Sequence, residues 1–210
     1  MFQSLTDNED IAQAGFTLIE LMVVLLIIAI LLAIAIPTFL GVTGSANDRA
    51  AQSNLTNGLT EASAIYQGNS QSYSGIVAAL TSSAPEFSWV ASNVAPTAGS
   101  NQISAYPVDI AAVADQQGVV LANLSKTGTC WWVAQLAASP VILAAPGFIE
   151  HAAGAAAGAE MVGGVNITTA GTYYAKSTAN DAANCKANYV DTDTSGFNWG
   201  SSYSTAGTNT

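Results

Sequence analysis

Residues 15–37 read GFTLIELMVVLLIIAILLAIAIP, and from Leu21 to Ile36 sixteen consecutive side chains are apolar. With Phe16 to Glu20 included, 21 residues precede Pro37. As a helix they span roughly 31 Å, about the thickness of a bilayer's hydrocarbon core. A secretory signal would carry a basic start, a shorter apolar core and a small-x-small exit. Here the run ends in IPTFLGVTG. A simple membrane anchor is the other plain reading. Neither accounts for Glu20, a carboxylate four residues after Phe16, because ionised groups in a membrane helix are costly and require a partner. Cleavage between Gly15 and Phe16 supplies one. It creates an α-amine whose ordinary pKa is about 8, one helical turn from Glu20. Between two subunits, that amine and Glu20 form a directional pair that sets a register apolar helices alone leave free.

The same residues carry a resemblance. Gly15, Phe16, Thr17, Leu18, Glu20, the apolar run and Pro37 resemble the class III signal and N-terminal helix of type IV pilins and pseudopilins. The resemblance implies that a prepilin peptidase in the membrane cuts after Gly15 and methylates Phe16, and that Glu20 guides subunit docking. It also implies an α+β fold: a long N-terminal transmembrane α-helix packed against a C-terminal antiparallel β-sheet head. The leader, MFQSLTDNEDIAQAG, departs from the family's usual pattern. It holds Asp7, Glu9 and Asp10 and no basic residue, so it carries no positive-inside signal. Its removal leaves eleven of the fourteen carboxylates against four basic residues, a formal charge of −7. The segment from Pro37 to Asn54 is also similar to pilins of some Gram-positive bacteria.

The whole chain of 210 residues has a formal charge of −10, with only 9% charged residues. Arg49, Lys126, Lys176 and Lys186 are its only basic side chains and do not cluster, which argues against direct nucleic-acid binding. The acidity suits a solvated, self-repelling exterior. Leu55, Leu59, Ala62 and Tyr66 recur at helical spacing, so one helix is expected from about Phe16 to Tyr66, with Pro37, Gly41 and Gly44 as weak points. From Gly68 the composition turns to Ser, Gly, Asn and Thr. Strands are expected at Phe87–Ala91, Ile103–Val108, Val119–Leu124, Cys130–Leu136 and Thr172–Lys176. The expected domains are therefore a leader at 1–15, a transmembrane and filament-core helix at 16–37 and a head-packing helix at 38–67. A β-rich head at 68–210 follows, with an Ala/Gly-rich insertion at 139–171 and a flexible tail at 200–210.

Candidate chemistry is sparse. Cys130 and Cys185, the two cysteines of an exported chain, read as one disulfide across about 54 intervening residues, two free thiols being the alternative. With one histidine, His151, and no CxxC, a zinc site of the usual type is not available. Asp191, Asp193 and Ser195 open like a calcium loop, but Ser202 stands where an EF-hand requires a carboxylate. A solvated Asx turn is the plainer reading. Asp109, Asp115, Glu150 and Glu160 read as scattered surface carboxylates. No cofactor and no enzymatic activity are expected. The expected partners are copies of the chain in a helical filament, the prepilin peptidase, inner-membrane assembly machinery and, before assembly, membrane lipid. The leading expectation is a pilus subunit inserted in the inner membrane as a precursor and then extracellular, serving adhesion, twitching or DNA uptake. A pseudopilin of a secretion or competence system and an uncleaved membrane-anchored surface protein are the alternatives.

Overall fold

The computed structural model describes residues 15–110, 116–138, 169–177, 182–188 and 199–209. The chain divides into two compact units, one ending at Thr43 and the other beginning at Gly44. Helix α1 (Leu18–Gly68) supplies the described helical residues of the first unit and the opening helix of the second.

Every large apolar side chain from Phe16 to Val42 is exposed in the first unit, from 91% at Phe16 down to 45% at Ile28. The segment is long and apolar enough to cross a membrane. Pro37 lies inside the helix and removes one backbone donor. The bond it removes is the one to the Ala33 carbonyl, four residues earlier. The adjacent Thr38 Oγ1 lies 2.9 Å from the Ala35 carbonyl oxygen and 3.2 Å from that of Ile34. Gly41 and Gly44 do not interrupt the helix.

The second unit is built on a six-stranded sheet in sequence order: β1 (Ser88–Val90), β2 (Gln102–Val108), β3 (Gly118–Leu124), β4 (Cys130–Leu136), β5 (Gly171–Ser177) and β6 (Gly207–Asn209). A second helix, α2 (Ile76–Ser83), packs beside β1 and β2 through Ile76 and Leu80. The α+β architecture with a long N-terminal helix is the one expected, with two differences. The sheet is not wholly antiparallel: β2 to β5 form an antiparallel meander, but β1 joins β2 and β6 joins β5 in parallel. The stretch at 200–210, expected to be a flexible tail, contributes a 3-10 turn (Tyr203–Thr205) and β6. Its polar residues satisfy caps and ladder bonds, and Tyr203 supplies apolar area.

The alternating side chains of the sheet feed two cores. Toward α1, Ile103, Ala105, Val119, Leu121, Trp131 and Val133 pack against Ala51, Leu55 and Ala62. Gly58 lets the helix approach closely, since a Cβ there would lie 3.0 Å from both Ile103 Cδ1 and the Trp89 ring. On the opposite face, Val108, Val120, Ala122, Trp132, Ala134 and Leu136 pack with Ile110, Cys185, Ala187 and Trp199. All seven residues of β3 are buried. The helix is also tied by polar contacts. Asp48 Oδ1 accepts from Thr127 Oγ1 at 2.6 Å, and Gln135 Oε1 accepts from Ser63 Oγ at 2.7 Å and from the Tyr73 hydroxyl at 3.0 Å.

Candidate functional site

Gly15, Phe16 and Thr17 precede α1 in non-helical backbone. Among the described residues nothing lies within 4 Å of where a Cβ on Gly15 would stand, and Phe16 is exposed. The peptide bond between these two residues is therefore outside the helical hydrogen-bond ladder.

Thr17 and Glu20 form a reciprocal pair at the helix start. The Thr17 backbone N–H donates to Glu20 Oε2 at 2.8 Å, and Thr17 Oγ1 donates to the same oxygen at 2.7 Å. The Glu20 N–H lies 3.3 Å from Thr17 Oγ1. With Leu18 as the first helical residue, Thr17 is the N-cap and Glu20 the third position, the arrangement of a capping box. It satisfies donors that the first turn of any helix leaves orphaned. Were the chain cut after Gly15, these groups would stay in place beside a new amine at Phe16. The reading of the sequence missed the cap, although Thr-x-x-Glu ahead of an apolar run is its recognised signature.

In the second unit Cys130 and Cys185 are joined by a disulfide, with Cα atoms 5.3 Å apart. The bridge fastens residues 182–188 behind the sheet. That segment is further held where Trp132 Nε1 donates to the Lys186 carbonyl at 2.9 Å, the Ala187 N–H to Ser104 Oγ at 3.1 Å and the Asn188 N–H to the Ser92 carbonyl at 3.2 Å.

Asp109, expected on the surface, is 4% exposed. Its Oδ1 accepts the Gln116 N–H at 2.9 Å, which is what retains a carboxylate among apolar residues. Burial pushes the Tyr73 hydroxyl up to about 12 against the smaller opposing effect of Ser63. Burial, and secondarily the charge of Asp109, does the same at Tyr106, also to about 12. Among the described residues no group of three His, Cys, Asp or Glu side chains is placed to hold a metal. The calcium candidate Asp191, Asp193 and Ser195 lies outside the described residues, as do Asp115, Glu150, His151, Glu160, residues 1–14 of the leader and 139–168 of the insertion.

Residues 11–36 match the prokaryotic N-terminal methylation motif. No curated protein and no solved structure matches the chain. The motif and the exposed apolar helix together support a type IV pilin-like class III signal peptide at the N-terminus.

Proposed function

We propose that the mature chain begins at an N-methylated Phe16 and polymerises through residues 16–37 into an extracellular type IV filament that serves adhesion, twitching or DNA uptake. Residues 1–15 are then the leader, 38–67 the helical segment that packs on the head, and 68–210 the head. Before assembly the subunit sits in the inner membrane. The observation that carries this reading is the exposed apolar segment, interrupted by one carboxylate, within the N-terminal methylation motif. Such a surface needs lipid or other copies of itself, and both are met in turn. In the filament Glu20 of one subunit pairs with the Phe16 amine of another, which selects one register. The subunit's role is structural rather than catalytic.

Two measurements test this. Mass spectrometry of native protein is expected to find methylated Phe16 at the N-terminus; a chain beginning at Met1 overturns the reading. Electron microscopy of the Glu20→Ala variant is expected to show cleaved, membrane-held subunit with few filaments. Wild-type filament numbers from that variant refute the pairing. Filament length separates a surface pilus from the short assembly of a pseudopilin.

A further inference from the structure

The C-terminal residues pass from one face of the sheet to the other around the edge of β5. Trp199 is 5% exposed and lies in the core behind the sheet with Cys130, Trp132 and Cys185. Gly200 then pairs with Tyr174 in antiparallel sense, its N–H donating to the Tyr174 carbonyl at 2.8 Å and its carbonyl accepting the Tyr174 N–H at 2.9 Å. By Tyr203 the chain has reached the helix-facing side. There its ring lies 4.4 Å from Tyr174 and 5.9 Å from Trp131, and its hydroxyl donates to the Gln52 carbonyl at 3.2 Å. Gly207–Asn209 finally runs beside Ala175–Ser177. Two aromatic side chains, one on each face, thus hold a segment whose backbone occupies the outward hydrogen-bonding groups of β5.

Without that segment β5 is the bare edge of an antiparallel meander, seven residues long and containing Thr172, Tyr173 and Tyr174. An edge of that length and composition is a template for pairing with another chain. We propose that residues 199–209 are a clasp over a latent self-association surface, and that opening it lets β5 pair antiparallel with β5 of a second copy. The second copy fits for two reasons. The groups that Gly200 engages already accept an antiparallel partner at Tyr174. Two β5 strands centred on Tyr174 also set Thr172 opposite Lys176, so neither lysine faces a like charge across the two-fold axis. This surface lies in the second unit, and the inference does not depend on the filament reading.

Gly200→Ala is the sharp test. A Cβ at Gly200 collides with the carbonyl oxygen and carbon of Thr205, which are backbone atoms that no rotamer change removes. Full-length chain is placed in lipid nanodiscs at one copy per disc, so that α1 does not bring molecules together. Hydrogen exchange is read at the Tyr174 and Val133 amides, and association of discs by sedimentation velocity. The parent is expected to remain as single discs with Tyr174 protected. Diluted to single discs, the variant is expected to exchange Tyr174 at least about tenfold faster with Val133 unchanged, and as concentration rises to form disc pairs in which Tyr174 is protected again. Thr172→Pro in the same background is expected to abolish the pairs. Undiminished protection of Tyr174 in Gly200→Ala at the single-disc dilution, or single discs at every concentration despite its loss, overturns the proposal. Should Val133 also lose protection, truncation after Trp199 removes Gly200 and the rest of the clasp without the collision, and the same two readouts decide.

Discussion

Opening the Cys130–Cys185 bridge has a cost that can be worked from its place in the chain. The two cysteines are 55 residues apart, and chain-entropy arithmetic for a loop of that size gives about 4 kcal/mol of stabilisation. For a folded unit of 150–250 residues each kcal/mol moves the melting temperature by about 2–4 °C. The double variant Cys130→Ser, Cys185→Ser is therefore expected to melt about 8–16 °C below the parent. Its native state still holds residues 182–188 through the Trp132, Ala187 and Asn188 hydrogen bonds, so the loss falls mainly on the unfolded chain. Circular dichroism melts of full-length protein in detergent, with and without reductant, provide the assay. Reduced parent and oxidised double variant should agree within a few degrees, because both lack the cross-link. A drop of less than about 3 °C in both would refute the entropic reasoning. So would a normal melt of the double variant with an early, partial transition in the reduced parent, which would place the bridge's effect in local docking.

Leu55 is fully buried between α1 and the sheet, and Leu55→Ala is expected to cost about 2–5 kcal/mol in denaturant titration, whereas Thr60→Ala on the exposed face should change stability by less than about 0.5. Glu20→Gln preserves the capping partner of Thr17 but removes the charge, so leader cleavage by mass spectrometry should match wild type while filament yield falls about tenfold. Glu20→Ala, which also removes the cap, should assemble no better than Glu20→Gln. Tyr73 and Tyr106 retain their protons in the folded state to about pH 12, while the unfolded phenols ionise near 10. Their contribution is then complete below pH 10 and lost as pH rises from about 10 through about 12. Following tyrosinate absorbance and unfolding together should show a shallower alkaline decline in Tyr106→Phe, and a decline unchanged by that substitution would count against the linkage.

The parts of the fold that were legible in the sequence are those with strong local signals. The apolar run, the stripe at Leu55 and Ala62, and five β-prone runs each predict an element, and the structure has all of them. What was missed depends on long-range burial. Helix α2 is short, and its apolar run Ile76 to Leu80 is too brief for periodicity to tell a helix from a strand. The tail reads as disordered because the sequence shows neither the β5 edge it covers nor the Trp131 and Tyr174 rings that receive Tyr203. The second core had a signal that went unused. The runs GVVLANL and CWWVAQL are apolar almost throughout rather than alternating, which is how strands covered on both faces read. At the N-terminus, Phe16 and Glu20 stand out as residue types, and the partner that Glu20 holds within its own chain, Thr17, is legible in the Thr-x-x-Glu spacing.

Strand β3 is a party wall between two apolar rooms. Val119 and Leu121 furnish one, and Val120, Ala122 and Leu124 the other. A change of volume at any of these positions is felt on the side it faces, and a one-residue slip would exchange the contents of both. The head therefore tolerates novelty at corners off the wall whose side chains are exposed, such as Thr81, Ser82 and Ser83 at the end of α2. Variation, tags and inserted epitopes belong at those corners, and the interior stays the same while the outside changes.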